Sequence, residues 1–177
     1  LLGVFNNPKI VLIDTNFLKT LTEEEYRNGL AEVLKAGIIK DYSIVKYLKS
    51  NDTITENEIV KAINVKKDLV TKDPFDKNER LYLNFGHTFG HAIEMHFDYA
   101  VKHGVAISYG MLISLEIGEN QKITKPGIYK EIKEILLRLK LVKEPLLNKD
   151  DFSHLLVNDK KQLSEGLRFV FVEDYEK

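Results

Sequence analysis

Four polar residues recur along the segment Arg80-Leu-Tyr-Leu-Asn84-Phe-Gly-His87-Thr-Phe-Gly-His91. On a single α-helix at about 100° per residue, positions 80, 84, 87 and 91 fall within an arc of about 60°. One stripe would then present a guanidinium, a carboxamide and two imidazoles. Gly86 and Gly90 lie beside it, and each costs a helix about 1 kcal/mol relative to alanine. That cost points to close backbone approach or to space for a ligand. The plain alternative is a solvated polar face with incidental histidines, although Phe85, Phe89 and Ile93 already supply a packing face.

His87 and His91, four residues apart, are spaced to share a metal ion. His103 stands at an expected helix start and is a third candidate ligand. A catalytic site adds a carboxylate and keeps one position open. Glu32, in the apolar stretch Gly29-Leu-Ala-Glu-Val-Leu-Lys35, is the best candidate, because a buried carboxylate is costly unless paired or bound to a metal. Lys35 follows on the same side of the helix, so an ordinary surface Glu–Lys pair reads equally well. Lys66, Lys67 and Lys72, then Asp73 and Asp76, precede Arg80. Such a cationic group near a metal suits an anionic, oxygen-rich substrate, but it also reads as a solvated helix end. Asp159-Lys160-Lys161 is weak alone, and His96 and His154 read as structural.

These residues need elements to hold them. The 177-residue chain is 44% hydrophobic and 30% charged, which fits a folded, soluble domain. With 26 basic against 27 acidic residues it lacks the excess of a nucleic-acid binder. The absence of cysteine excludes disulfide scaffolds and thiolate chemistry. No apolar run approaches the ~20 residues of a membrane span, so the expectation is a cytoplasmic protein with no membrane partner. The chain opens on Leu1 within an apolar stretch, which predicts a piece of a longer polypeptide.

Ile10–Ile13 reads as a short strand. Capping signatures at Thr22 and Thr55 predict helices over 22–40 and 55–70, with a short helix between, starting at Asp41 or Ser43. Pro74 marks a loop over 71–78. Further helices are predicted over 80–97, 103–120, 126–140 and from 150 or 151 to 159. Leu167–Val172 has strand composition and could pair with the early strand. The expected fold is mainly α, with short strands near both ends.

Two segments carry a resemblance: Leu83-Asn-Phe-Gly-His-Thr-Phe-Gly-His-Ala-Ile-Glu94 and Gly29-Leu-Ala-Glu-Val-Leu-Lys-Ala-Gly-Ile-Ile-Lys-Asp41. Together they closely resemble the 3-dehydroquinate synthase family. Asp14–Leu21, His103–Met111 and Asp159–Lys161 before Gly166-Leu-Arg-Phe-Val agree in order. The resemblance implies that residues 1–177 form the helical C-terminal domain of the dehydroquinate synthase-like fold. An N-terminal α/β domain that binds NAD would lie outside this chain, so this chain alone should not catalyse.

The family's zinc ligands map onto Glu32, His87 and His103, which makes His91 a proton-handling or substrate-side group instead of a ligand. Substrate contacts map onto Lys35, Lys66, Arg80, Asn84, His91 and Lys160, with His91, Lys35 and Asp76 in catalytic roles. Phe17, Leu18, Lys19 and Thr20 map onto a segment that touches NAD. Asp76 stands where the family usually has Glu. Val105 also replaces a usual Glu, removing a charge beside His103 but no ligand.

The reaction implied is conversion of 3-deoxy-D-arabino-heptulosonate 7-phosphate to 3-dehydroquinate with loss of phosphate. It runs by NAD-assisted oxidation, elimination, reduction and aldol closure, with Zn2+ or Co2+, in a homodimer. Two rivals stand beside it. One is a metal-dependent polyol or alcohol dehydrogenase of the same two-domain plan, and the other is a non-catalytic helical interaction domain.

Overall fold

A computed structural model describes residues 8–146 and 168–177. Its helices are α1 (Glu23–Ile39), α2 (Tyr42–Leu48), α3 (Glu56–Lys72), α4 (His87–His96), α5 (His103–Asn120) and α6 (Ile128–Arg138). Two 3-10 turns, Thr15–Thr20 and Glu79–Asn84, precede α1 and α4.

Local chemistry accounts for the starts of the helices. The Thr22 hydroxyl accepts the Glu25 N–H, and Glu23, Glu24 and Glu25 meet the positive end of α1. Asp41 caps α2 by accepting the Ser43 N–H. At α3, Thr55 and Glu58 form a reciprocal capping box.

The centre of the domain is α5, apolar on nearly all sides and buried from Gly104 through Leu115 except at Val105. It packs on α1, α4 and α6. Leu34, Ile38, Phe85, Ile93, Ile107 and Met111 are fully enclosed between these helices. Gly110 permits the closest approach: a Cβ there would lie 2.0 Å from the Gly86 carbonyl oxygen. None of the described helices is long and apolar enough to cross a membrane.

Several expectations change. No single helix runs over 80–97. The 3-10 turn ends at Asn84, Phe85 is extended, and Gly86 adopts a left-handed conformation with φ of 76° before α4 begins. Asp73 anchors the preceding loop by accepting backbone N–H groups from Lys77, Asn78 and Arg80. The glycines at 86 and 90 therefore serve close packing on α5, where their added Cβ atoms would meet Met111 and Ile107.

Among the described residues there are no strands. Ile10 to Ile13 are exposed and have no ladder partner. Residues 168–172 are likewise outside any strand, although Val172 is buried. Pro126 precedes α6, because Gly127 takes the cap position with φ of 101°. The helix expected over 150–159 lies outside the described residues.

Candidate metal and substrate site

Three helices converge at one end of the domain. α1 contributes Glu32 and Lys35, the first turn of α4 contributes His87, and the first residue of α5 is His103. The α5 start is tied to α1 by the Gly104 N–H, which donates to Asn28 Oδ1 at 2.5 Å. A Cβ at Gly104 would collide with the Asn28 carbonyl, so the glycine lets His103 come this close to α1.

Glu32 Oε1 lies 3.7 Å from His87 Nε2 and 3.7 Å from His103 Nε2. Four-coordinate zinc with bonds of about 2.0–2.1 Å separates its ligand atoms by roughly 3.3 Å. A small contraction of these two distances brings Glu32 to ligand spacing from both imidazoles, and the three ligand atoms lie within 4.8 Å of one another. Each histidine is oriented through its other nitrogen, His87 Nδ1 lying 3.2 Å from the Phe85 carbonyl and His103 Nδ1 lying 3.0 Å from Glu94 Oε1. Both Nε2 atoms are thereby left toward Glu32, and the donor set fits zinc or cobalt. A second cluster of His91, Glu94 and His103 also has ligand atoms within 4.8 Å of one another.

Glu32 Oε2 is held 2.7 Å from Lys35 Nζ. Burial works against the charge of Glu32, but Lys35, His87 and His103 outweigh it and keep the carboxyl below its ordinary range. Burial pushes the Lys35 ammonium down, with Glu32 opposing. Burial and the nearby Lys35 charge lower His87 to about 4, so its imidazole is in the neutral, ligating form at neutral pH. Lys35, Lys66, Glu32, Leu83, Ile59 and Ile63 line a cleft of about 270 Å³ beside the triangle. It brings two cations and one carboxylate to a single cavity.

Other expected residues are placed less directly. The His91 ring is 5.5 Å from that of His87 and 6.3 Å from that of His103, at the edge of the cluster. Arg80 donates to the Pro74 carbonyl, and Asn84 is exposed at the end of its 3-10 turn. Among the described residues, Asp76 makes no ion pair. It adopts a left-handed backbone with φ of 58° and buries Oδ1 without a hydrogen bond. Phe17, Leu18, Lys19 and Thr20 occupy the first 3-10 turn, where Phe17 is largely exposed. Lys160 lies outside the described residues.

Spacing alone pairs His87 with His91, whereas the imidazole nitrogens 3.7 Å from Glu32 belong to His87 and His103. It also passes over Glu94 and Asn28. A signal for Glu94 exists, since it is the one acidic residue of α4, one turn after His91 and flanked by Ala92, Ile93 and Met95.

The architecture and site together define the helical C-terminal domain of the dehydroquinate synthase-like fold. A 2-epi-5-epi-valiolone synthase from Streptomyces hygroscopicus, solved with NAD+ and Zn2+ bound, superposes with a TM-score of 0.80 at 22% identity. That match covers 99% of this chain and 52% of that one. A 2-deoxy-scyllo-inosose synthase matches with a TM-score of 0.79 at 22% identity, over 100% of this chain and 50% of its own.

The family model described as 3-dehydroquinate synthase C-terminal matches residues 29–162, and the chain belongs to that family. The 3-dehydroquinate synthase of Clostridium beijerinckii is 41% identical over 98% of this chain and 52% of its own length. A bifunctional 3-dehydroquinate synthase/phosphatase of Fusobacterium nucleatum is 42% identical over 66% of this chain and 19% of its length. The chain thus spans about half the length of the 3-dehydroquinate synthases it matches.

Proposed function

We propose that this domain is the metal- and substrate-binding half of a 3-dehydroquinate synthase. The full polypeptide would convert 3-deoxy-D-arabino-heptulosonate 7-phosphate to 3-dehydroquinate and phosphate. The observation that carries this reading is the convergence of Glu32 with both Nε2 atoms, beside a cleft containing Lys35 and Lys66. An uncharged polyol would have no use for two cations at that position. A non-catalytic helical module would have no use for three converging ligand atoms.

Glu32, His87 and His103 would hold zinc or cobalt. When bound, the ion supplies charge stabilisation at substrate oxygens, and NAD supplies the hydride acceptor for the transient oxidation that precedes elimination, reduction and aldol closure. The protein's own groups do the remaining work. Lys35, Lys66 and Arg80, joined by Lys160, neutralise the substrate's carboxylate and phosphate and hold it in one pose. Asn84 orients a hydroxyl through its carboxamide. His91, outside the ligand triangle, accepts and returns a hydroxyl proton. Asp76 balances the local cations. Phe17, Leu18, Lys19 and Thr20 form the face turned toward NAD held by the N-terminal half, and two such polypeptides form a homodimer.

The test is phosphate release from the heptulosonate phosphate by the polypeptide carrying both halves. Glu32→Gln and His87→Ala should each lose metal and turnover together. Full activity in either variant sinks the assignment.

A further inference from the structure

Glu94 is not part of the ligand triangle, yet it is the better enclosed member of its pair with His103. Its side chain is 15% exposed against 44% for His103, and its Oε1 lies 3.0 Å from His103 Nδ1. A carboxylate held that far from water needs a donor. Among the described residues, it meets the imidazole whose other nitrogen faces Glu32.

We propose that Glu94 is a positioning residue for the metal site, accepting a hydrogen bond from the Nδ1–H of His103 and thereby presenting the bare Nε2 to the ion beside Glu32. This inference rests on the metal reading given above. An ionised carboxylate only accepts, so the contact is a hydrogen bond only when Nδ1 carries the proton. The Nε2 lone pair is then free and its direction is set. A carboxylate partner also makes the imidazole a stronger donor than a neutral carbonyl does. The two histidines are therefore held unequally, His87 by the Phe85 carbonyl and His103 by an anion.

The connection between α4 and α5 is shaped for this contact. The Tyr99 N–H donates to the Glu94 carbonyl at 2.7 Å, closing the turn from the same residue. Asp98 and Tyr99 both take left-handed backbones, with φ of 48° and 60°. Each such residue costs about 1 kcal/mol or more. That strain folds the start of α5 back so that His103 stands over Glu94.

The contact also decides between the two candidate ligand sets. As a hydrogen-bond acceptor, Glu94 occupies His103 Nδ1 and leaves Nε2, the nitrogen 3.7 Å from Glu32 Oε1, for the ion. His103 is then left to serve Glu32 and His87.

The experiment is Co2+ titration of the 177-residue chain by calorimetry and visible absorption, with helix content checked by circular dichroism. Glu94→Ala should bind Co2+ about 10- to 100-fold more weakly than the parent. Glu94→Gln, which keeps an acceptor but loses the charge, should fall between them. If Glu94→Ala does not fold, Glu94→Gln decides. Parent-like affinity in a folded Glu94→Gln variant, whether Glu94→Ala is unfolded or also binds like the parent, overturns the inference and leaves the metal site standing. Loss of Co2+ in His91→Ala equal to that in His103→Ala would make Glu94 a ligand and overturn its positioning role. A parent chain that binds no Co2+ overturns the metal reading and this inference together.

Discussion

Lys35 Nζ lies 2.7 Å from Glu32 Oε2, and the two residues differ sharply in exposure, the Lys35 side chain being 4% exposed and that of Glu32 45%. The burial cost therefore falls on the lysine. A buried ion pair of this kind is weak evidence for stability, and replacing a buried charge by an apolar side chain of similar volume is often neutral or stabilising. Removing Lys35 strands no dry charge, because water reaches Glu32. Lys35→Met should accordingly keep the melting temperature within about 2 °C of the parent or raise it. In the polypeptide carrying both halves, turnover should fall by about 100-fold or more, as for loss of a preorganised electrostatic contact. Thermal melts and phosphate-release assays check the two halves of this prediction. A large loss of stability would assign Lys35 to the core instead of the site.

The proposed ligand triangle separates two histidines that sequence spacing pairs. His87 Nε2 faces Glu32, whereas His91 stands at the rim of the cluster and is exposed. Metal content by mass spectrometry should be near one ion per chain in the parent. It should collapse in His87→Ala and persist in His91→Ala. Equal loss in both would restore the His87–His91 pair as the binding unit.

This contrast shows where sequence reasoning reaches and where it stops. Helices α1 and α3 are legible because Thr22 and Thr55 carry capping chemistry within a few residues of each start. Glu32 is legible as a charge in an apolar stretch. The stripe from Arg80 to His91 is not, because its regular spacing conceals the left-handed Gly86 that breaks the helix. That break is a tertiary demand from α5, which no local pattern encodes. The pairing of Glu94 with His103 is similarly invisible, since the strained turn between them depends on how α5 packs. Ile10–Ile13 has strand composition but meets no partner strand among the described residues.

Two glycines give opposite predictions from the same substitution. Gly110→Ala would place Cβ 2.0 Å from the Gly86 carbonyl, a backbone atom that cannot swing away. Helices α4 and α5 would have to separate, at a cost of about 1–3 kcal/mol or more, with His87 displaced from Glu32. Gly29 lies within α1 with nothing near its missing Cβ. Gly29→Ala should stabilise the domain by roughly 0.5–1 kcal/mol through helix propensity and a less flexible unfolded chain. Denaturant titrations of both variants would show the sign. Equal effects in the two would contradict the packing described for α4 and α5.

Glu58 offers a pH test independent of the metal. It is buried at the start of α3, which alone would raise its pKa, but bonds from the Thr55 hydroxyl and backbone and from Asn57 hold it below the ordinary 4.5. A depressed folded-state value contributes stability that is fully present above the unfolded pKa and lost as pH falls through the folded one. Glu58→Gln should therefore be less stable than the parent at neutral pH. The gap should narrow only below about pH 4.5, as the parent's carboxyl takes up its proton. Unfolding free energies measured from pH 7 to pH 3 would trace this convergence. A gap that stays constant across that range would mean the capping box owes its worth to shape and not to the carboxylate charge.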